Sequence, residues 1–66
     1  MEGTVDLHDL RFRWELRDVP RGPARCTLHV AFGELGIARP YSAKMTRDEA
    51  QKEAARLVPE LLRKVN

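Results

Sequence analysis

The feature that most constrains how this chain can fold is a strict alternation of apolar and charged residues over positions 10–17. The apolar residues share one parity: Leu10, Phe12, Trp14 and Leu16. The charged residues share the other: Arg11, Arg13, Glu15 and Arg17. A period of two residues is typical of a β-strand with one face buried and the other in water. We therefore expect further strands that pair with this one and another element that packs on its apolar face.

Two more strands are predicted downstream. Residues 25–32 alternate again, with Cys26, Leu28, Val30 and Phe32 on the apolar side. A loop of about seven residues, rich in proline and glycine, separates them from the first strand at 10–18 and predicts an antiparallel hairpin. A short turn at 33–36 leads to a third strand at 37–45. Pro40 has no amide hydrogen to donate, so this strand is expected at an edge of the sheet. Residues 1–9 give no clear pattern.

The period changes to that of a helix after residue 45. Thr46 and Glu49 have the spacing of a capping box, which marks a helix start. Apolar residues then recur at helical spacing up to Val65, so a helix is predicted near 47–65. Pro59 lies inside this segment, and we expect it to kink the helix or to force a restart.

These elements predict a single small α+β domain spanning residues 1–66. The expected architecture is a three-stranded antiparallel sheet (β-β-β-α) packed on one C-terminal helix. The expected core consists of Phe12, Trp14, Leu16, Leu28, Val30, Phe32, Ala54, Leu57 and Leu61. Because a chain of 66 residues buries only a thin core, we also expect a homodimer or a subunit of a larger complex.

Composition excludes several classes of protein. No apolar run approaches the roughly 20 residues of a membrane-spanning helix, and no secretory leader is recognisable, which favours a cytoplasmic location. Cys26 is the only cysteine, and the two histidines have no partner at metal-ligand spacing, so no cofactor and no metal are expected. A sheet this small offers no cleft for catalysis, and we predict that the chain is not an enzyme.

Charge is distributed unevenly along the chain. Residues 1–10 carry three acidic and no basic residues. Residues 11–47 carry eight basic and three acidic residues, a net charge of +5, and residues 48–66 are balanced. Most of the basic residues are arginine, whose planar guanidinium suits phosphate and carboxylate groups. The middle of the chain is therefore the expected contact surface for an anionic partner.

The C-terminal strand and helix resemble those of a double-stranded RNA-binding domain. The positions that fit the family's capped, alanine-rich helix are Thr46, Arg47, Glu49, Ala50, Ala54, Ala55, Leu57, Leu61 and Leu62. Gly22-Pro23 in the first hairpin loop also fits. The family's first helix is missing, and Asp48 and Gln51 stand where it has phosphate-binding lysines. A three-stranded sheet with one C-terminal helix is also similar to the arm-binding domains of phage-type integrases, which place an exposed sheet face in the DNA major groove.

The sequence thus predicts a small non-enzymatic module that binds the phosphate backbone of duplex DNA or RNA. The expected contacts are an arginine row on the exposed sheet face, the hairpin and the helix start: Arg11, Arg13, Arg17, Arg21, Arg25, Lys44 and Arg47. An ordinary solvated sheet face would show the same row. The alternative function is a protein-binding inhibitor or adaptor of a phage or mobile element, which docks an acidic partner by the same face or by a sheet edge.

Overall fold

The sheet of this protein has four strands rather than three. The computed structural model describes residues 1–64 and contains β1 (Glu2–Leu7), β2 (Leu10–Asp18), β3 (Cys26–Phe32), β4 (Leu35–Tyr41) and α1 (Arg47–Arg63). The strands are antiparallel neighbours in the order β1-β2-β3-β4, and α1 packs on one face of the sheet. The predicted α+β class is confirmed, and the prediction of a three-stranded β-β-β-α domain is wrong by one strand.

The strand that the sequence did not reveal is β1, which is joined to β2 by a two-residue turn. Leu7 pairs with Leu10, and the turn residues His8 and Asp9 have φ values of 54° and 62°. Left-handed backbone at both central positions is the geometry of a type I′ hairpin turn, whose usual sequence is Asn-Gly. Because neither residue is glycine, the turn signal was absent.

The other elements lie close to their predicted positions. β2 has the predicted bounds, β3 begins one residue later than predicted, and β4 covers 35–41 instead of 37–45. β4 is an edge strand, as Pro40 predicted. Pro40 is opposite Thr27 in the β3–β4 ladder, and an edge strand tolerates a residue that has no amide hydrogen to donate.

The core lies between α1 and the helix-facing side of the sheet. Eight of the nine predicted core residues are buried; Phe32 is only half-buried, although its ring centroid lies 5.2 Å from that of Phe12. Val5, Cys26, Ala50 and Val58 complete the core. Leu10 has the parity of the core but is 37% exposed, because it pairs with Leu7 at the end of the sheet.

The helix begins as predicted. The amide of Glu49 donates to Thr46 Oγ1 (3.2 Å), and the amide of Thr46 donates to Glu49 Oε1 (2.8 Å). The helix continues through Pro59 to Arg63 as one element, so the expected restart at Pro59 is not found. Pro59 lies on the exposed side, and Val65 lies outside the described residues.

Trp14 connects the helix to the first two strands. Its indole Nε1 donates to Gln51 Oε1 (2.7 Å), and Gln51 Nε2 donates to the carbonyl of Thr4 on β1 (2.7 Å). The Arg47 guanidinium carbon lies 5.6 Å from the centroid of the indole ring. Gly3 is opposite Trp14 in the β1–β2 ladder, and the indole covers it.

Gly3→Ala should destabilise the fold. A Cβ atom at Gly3 would lie 2.6 Å from Trp14 Cζ2, so the indole would have to move. Overpacking of this kind costs about 1–3 kcal/mol of unfolding free energy. The same substitution in a Trp14→Leu background should cost much less, because contacting residues are coupled. Denaturant unfolding of the four chains measures both effects, and equal costs in both backgrounds would contradict this account.

Replacing the β1–β2 turn with Asn-Gly should stabilise the protein. His8→Asn with Asp9→Gly relieves left-handed backbone and should add about 1 kcal/mol. For a domain of this size, that corresponds to a rise of roughly 4–8 °C in Tm. Gly33→Ala is the matched control and should lower the stability. Gly33 has φ 60° and open space around it, so the substitution adds backbone strain without a steric clash. Calorimetry that shows no rise for the Asn-Gly variant would contradict the turn assignment.

Alkaline pH should weaken the contact between β4 and α1. The Tyr41 hydroxyl donates to Glu53 (2.8 Å), and burial, followed by this hydrogen bond, raises the pKa of Tyr41 to about 12 from 10.0. The folded state then keeps a proton that the unfolded chain loses, so the unfolding free energy falls as the pH rises from 10 to 12. Because the chain has one tyrosine, ultraviolet titration of tyrosinate reads this pKa directly. Tyr41→Phe should lose this part of the pH dependence.

Candidate functional site

The open face of the sheet carries the predicted arginine row. Arg11, Arg13 and Arg17 are all exposed on the side of β2 that faces away from α1. The neighbouring strand β1 places its own polar residues on the same face, and the register sets Asp6 opposite Arg11 and Thr4 opposite Arg13. The row therefore lies beside acidic side chains.

Two of the three arginines in the row are ion-paired. Arg11 Nε donates to Asp6 Oδ1 (2.9 Å), and Arg17 donates to Glu15. The hydrogen bond from Arg11 lowers the pKa of Asp6, and the one from Arg17 lowers the pKa of Glu15. Arg13 has no ion pair within residues 1–64. Because Glu2 also lies on the open face, three acidic residues balance its three arginines, and Arg13 is the arginine without an ion pair among the described residues.

On β3 and β4, the open face carries no acidic, lysine or arginine residue. The residues of β3 and β4 that share it are Thr27, His29, Ala31, Gly36, Ala38 and Pro40. Where β1, β2 and β3 meet, an open depression of about 660 Å³ is lined in part by Glu2, Arg13 and His29. Small side chains allow another surface to approach this side of the sheet closely.

The remaining predicted cations lie at one end of the sheet. Arg21 and Arg25 belong to the β2–β3 loop (19–25), and Lys44 belongs to the connector between β4 and α1 (42–46). Neither segment contains an acidic residue. All three side chains are exposed, and they have no ion pair among the described residues. We call this surface, together with Arg47 at the start of α1, the basic end.

Main-chain and thiol hydrogen bonds hold the two segments of the basic end together. The amide of Val19 donates to the Arg25 carbonyl (2.9 Å) and closes the base of the loop. The amide of Arg25 donates to the Tyr41 carbonyl (2.7 Å), which fixes the loop against the end of β4. The buried Cys26 thiol donates to the Ala43 carbonyl (3.4 Å), next to Lys44. Arg25 and Lys44 are thus on neighbouring, anchored backbone.

The start of α1 is less basic than its cations suggest. Arg47 lies over Trp14, and Asp48 and Glu49 occupy the first turn. The hydrogen bond from the Thr46 backbone lowers the pKa of Glu49, which holds a negative charge at the helix N-terminus. Gln51 connects Trp14 to β1 through its two side-chain hydrogen bonds. These residues stabilise the fold and leave the helix N-terminus poorly suited to bind an anion.

Sequence patterns identified all the cations but not their pairing. Arg11 could be matched to Asp6 only once β1 was known, and the signal for β1 was weak. Within residues 1–64, no three His, Cys, Asp or Glu side chains form a group that could hold a metal ion. In the same part of the chain, no helix is long and apolar enough to cross a membrane.

Comparison with known proteins adds no assignment: no known family, no curated protein and no solved structure matches the chain.

Proposed function

We propose that this chain is a small non-enzymatic nucleic-acid-binding module that contacts the phosphate backbone mainly through its basic end. Three exposed cations on two acid-free segments carry the proposal, because they have no acidic partner within residues 1–64: Arg21, Arg25 and Lys44. Guanidinium and ammonium groups in such a position release condensed counterions when they meet phosphates, and this drives sequence-independent binding.

The open face contributes less than the basic end in this proposal. Arg11 and Arg17 already have carboxylate partners, so a phosphate would have to compete with Asp6 and Glu15. Arg13 remains available for one contact, and Arg47 would have to leave the indole of Trp14 to make another. With three to five phosphate contacts, binding is weak at physiological salt and falls steeply as salt rises.

Two triple variants with the same change in net charge test this assignment. One is Arg21→Gln, Arg25→Gln and Lys44→Gln at the basic end. The other is Arg11→Gln, Arg13→Gln and Arg17→Gln on the open face. Fluorescence anisotropy of a labelled duplex measures the binding constant K over a range of salt concentrations. For the basic-end variant, the slope of log K against log[salt] should become about 2.7 less steep than that of the parent chain. For the open-face variant, the slope should flatten by only about 0.9, since one free arginine is lost.

The outcomes separate the possible explanations. Equal losses in both variants would show that only net charge matters, and the basic end would not be the site. If the parent chain binds neither duplex DNA nor duplex RNA at low salt, the nucleic-acid proposal is wrong. Circular dichroism should be the same for all three chains, because none of the six side chains is buried.

A protein partner is the second candidate function, and one observation favours it. The open face pairs its charges internally and is otherwise lined by small residues such as Ala31 and Ala38. Such a surface suits close packing against another protein better than it suits a polyanion. Ala38→Arg should abolish complex formation in this case and leave duplex binding unchanged. Binding to an acidic partner would also show a defined stoichiometry and a gentler dependence on salt.

A further inference from the structure

An apolar patch remains uncovered at the end of the sheet opposite the basic end. The patch consists of Leu7, Leu10, Phe32 and Leu35, which share the parity of the core and face the side of the sheet on which α1 packs. Leu10 is 37% exposed, and the other three side chains are half-buried. Apolar surface left in water is unfavourable, so covering this patch would stabilise the chain.

The lengths of the hairpins explain why the patch exists. Phe32 lies at the level of Phe12, and Phe32↔Leu35 is the last pair of the β3–β4 hairpin. The β1–β2 hairpin continues for two more residues to its last pair, Leu7↔Leu10. At about 3.3 Å per residue, it projects roughly 7 Å farther. The tip of the β1–β2 hairpin, with Leu7 and Leu10, therefore projects beyond the tip of the β3–β4 hairpin. We call the recess beside it, at the end of the shorter hairpin, the step.

The rim of the patch carries both acidic and basic residues. The two turns that border it contain Asp9 and Glu34. The other side is bordered by the end of α1, where Arg63 and Lys64 are exposed and Lys64 Nζ lies 3.5 Å from the carbonyl of Gly36, next to Leu35. None of these four residues forms an ion pair within residues 1–64. The patch is thus bordered by acids in the two hairpin turns and by bases at the end of α1.

We propose that this patch is the contact surface for a second copy of the chain in a two-fold symmetric dimer. A two-fold axis through the patch places the acidic turns of one copy against the basic helix end of the other, twice. It also places each projecting tip in the step of its partner and buries Leu10 of both copies. A thin core that gains apolar contacts by association is a common solution for chains of this size. The dimer leaves both basic ends free, at its two outer ends.

Substitution of Leu10 tests the apolar part of the contact. Leu10→Ser should raise the dimer dissociation constant about 100-fold in sedimentation equilibrium, because each dimer loses two leucines. Leu10→Met is the matched control and should leave the constant within about threefold, since the apolar contact is kept. Neither change should alter helicity, because Leu10 lies outside the core.

A charge exchange tests whether the partner is a second copy. Glu34→Lys and Lys64→Glu should each raise the dissociation constant about tenfold by placing like charges together. The two substitutions in one chain restore opposite charges across a two-fold interface and should recover the parent constant within about threefold. A different partner protein would not recover its affinity in this double variant.

Three results would overturn the proposal. The first is a chain that remains monomeric up to millimolar concentration. The second is a double charge variant that associates no better than the single variants. The third is loss of association on Ala38→Arg, which would place the contact on the open face.

Discussion

The contact on which the rest of this structure depends is the one around the Trp14 indole. The ring covers Gly3 of β1, lies under Arg47 and donates to Gln51, which in turn donates to the Thr4 carbonyl. One side chain of β2 thereby fixes the position of α1 and of the edge strand β1. Without it, β1 would be held mainly by its ladder to β2 and by the packing of Val5 and the half-buried Leu7, and the Thr4 carbonyl at the sheet edge would lose its hydrogen bond from Gln51.

Most of the fold could be predicted from periodicity alone. Alternation along β2 and β3 identified the buried face, because one face of a sheet under a helix must be apolar, and the capping box located the start of α1. The strand β1 could not be predicted in this way. Its helix-facing side contains a glycine that makes room for an indole, one buried valine and one half-buried leucine. Its turn contains His8 and Asp9 and no glycine. In β4, Arg39 breaks the alternation of apolar and polar residues. It shares the parity of the core but reaches the surface of α1, where it pairs with Glu60.

The candidate site could be predicted residue by residue but not as a surface. Alternation correctly put Arg11, Arg13 and Arg17 on one face. Whether an arginine on this face forms an ion pair depends on the residues opposite it in the ladder. Predicting those residues requires the register of β1, and the sequence patterns did not identify that strand. The loop and connector cations raise the opposite difficulty: they are far apart in sequence and become neighbours only because Arg25 bonds to Tyr41 and Cys26 bonds to Ala43.

The meander topology has a consequence for the order in which the chain folds. Every pair of neighbouring strands is joined by a short loop, so the sheet is built from local contacts of the kind that form quickly. The bond from Gln51 to Thr4 spans 47 residues and closes the longest loop of the hydrogen-bonded structure described here. Because the entropy of that closure must be offset before the contact stabilises anything, docking of α1 over Trp14 is expected to be the late step. The single tryptophan of the chain is therefore placed at the point where folding is completed.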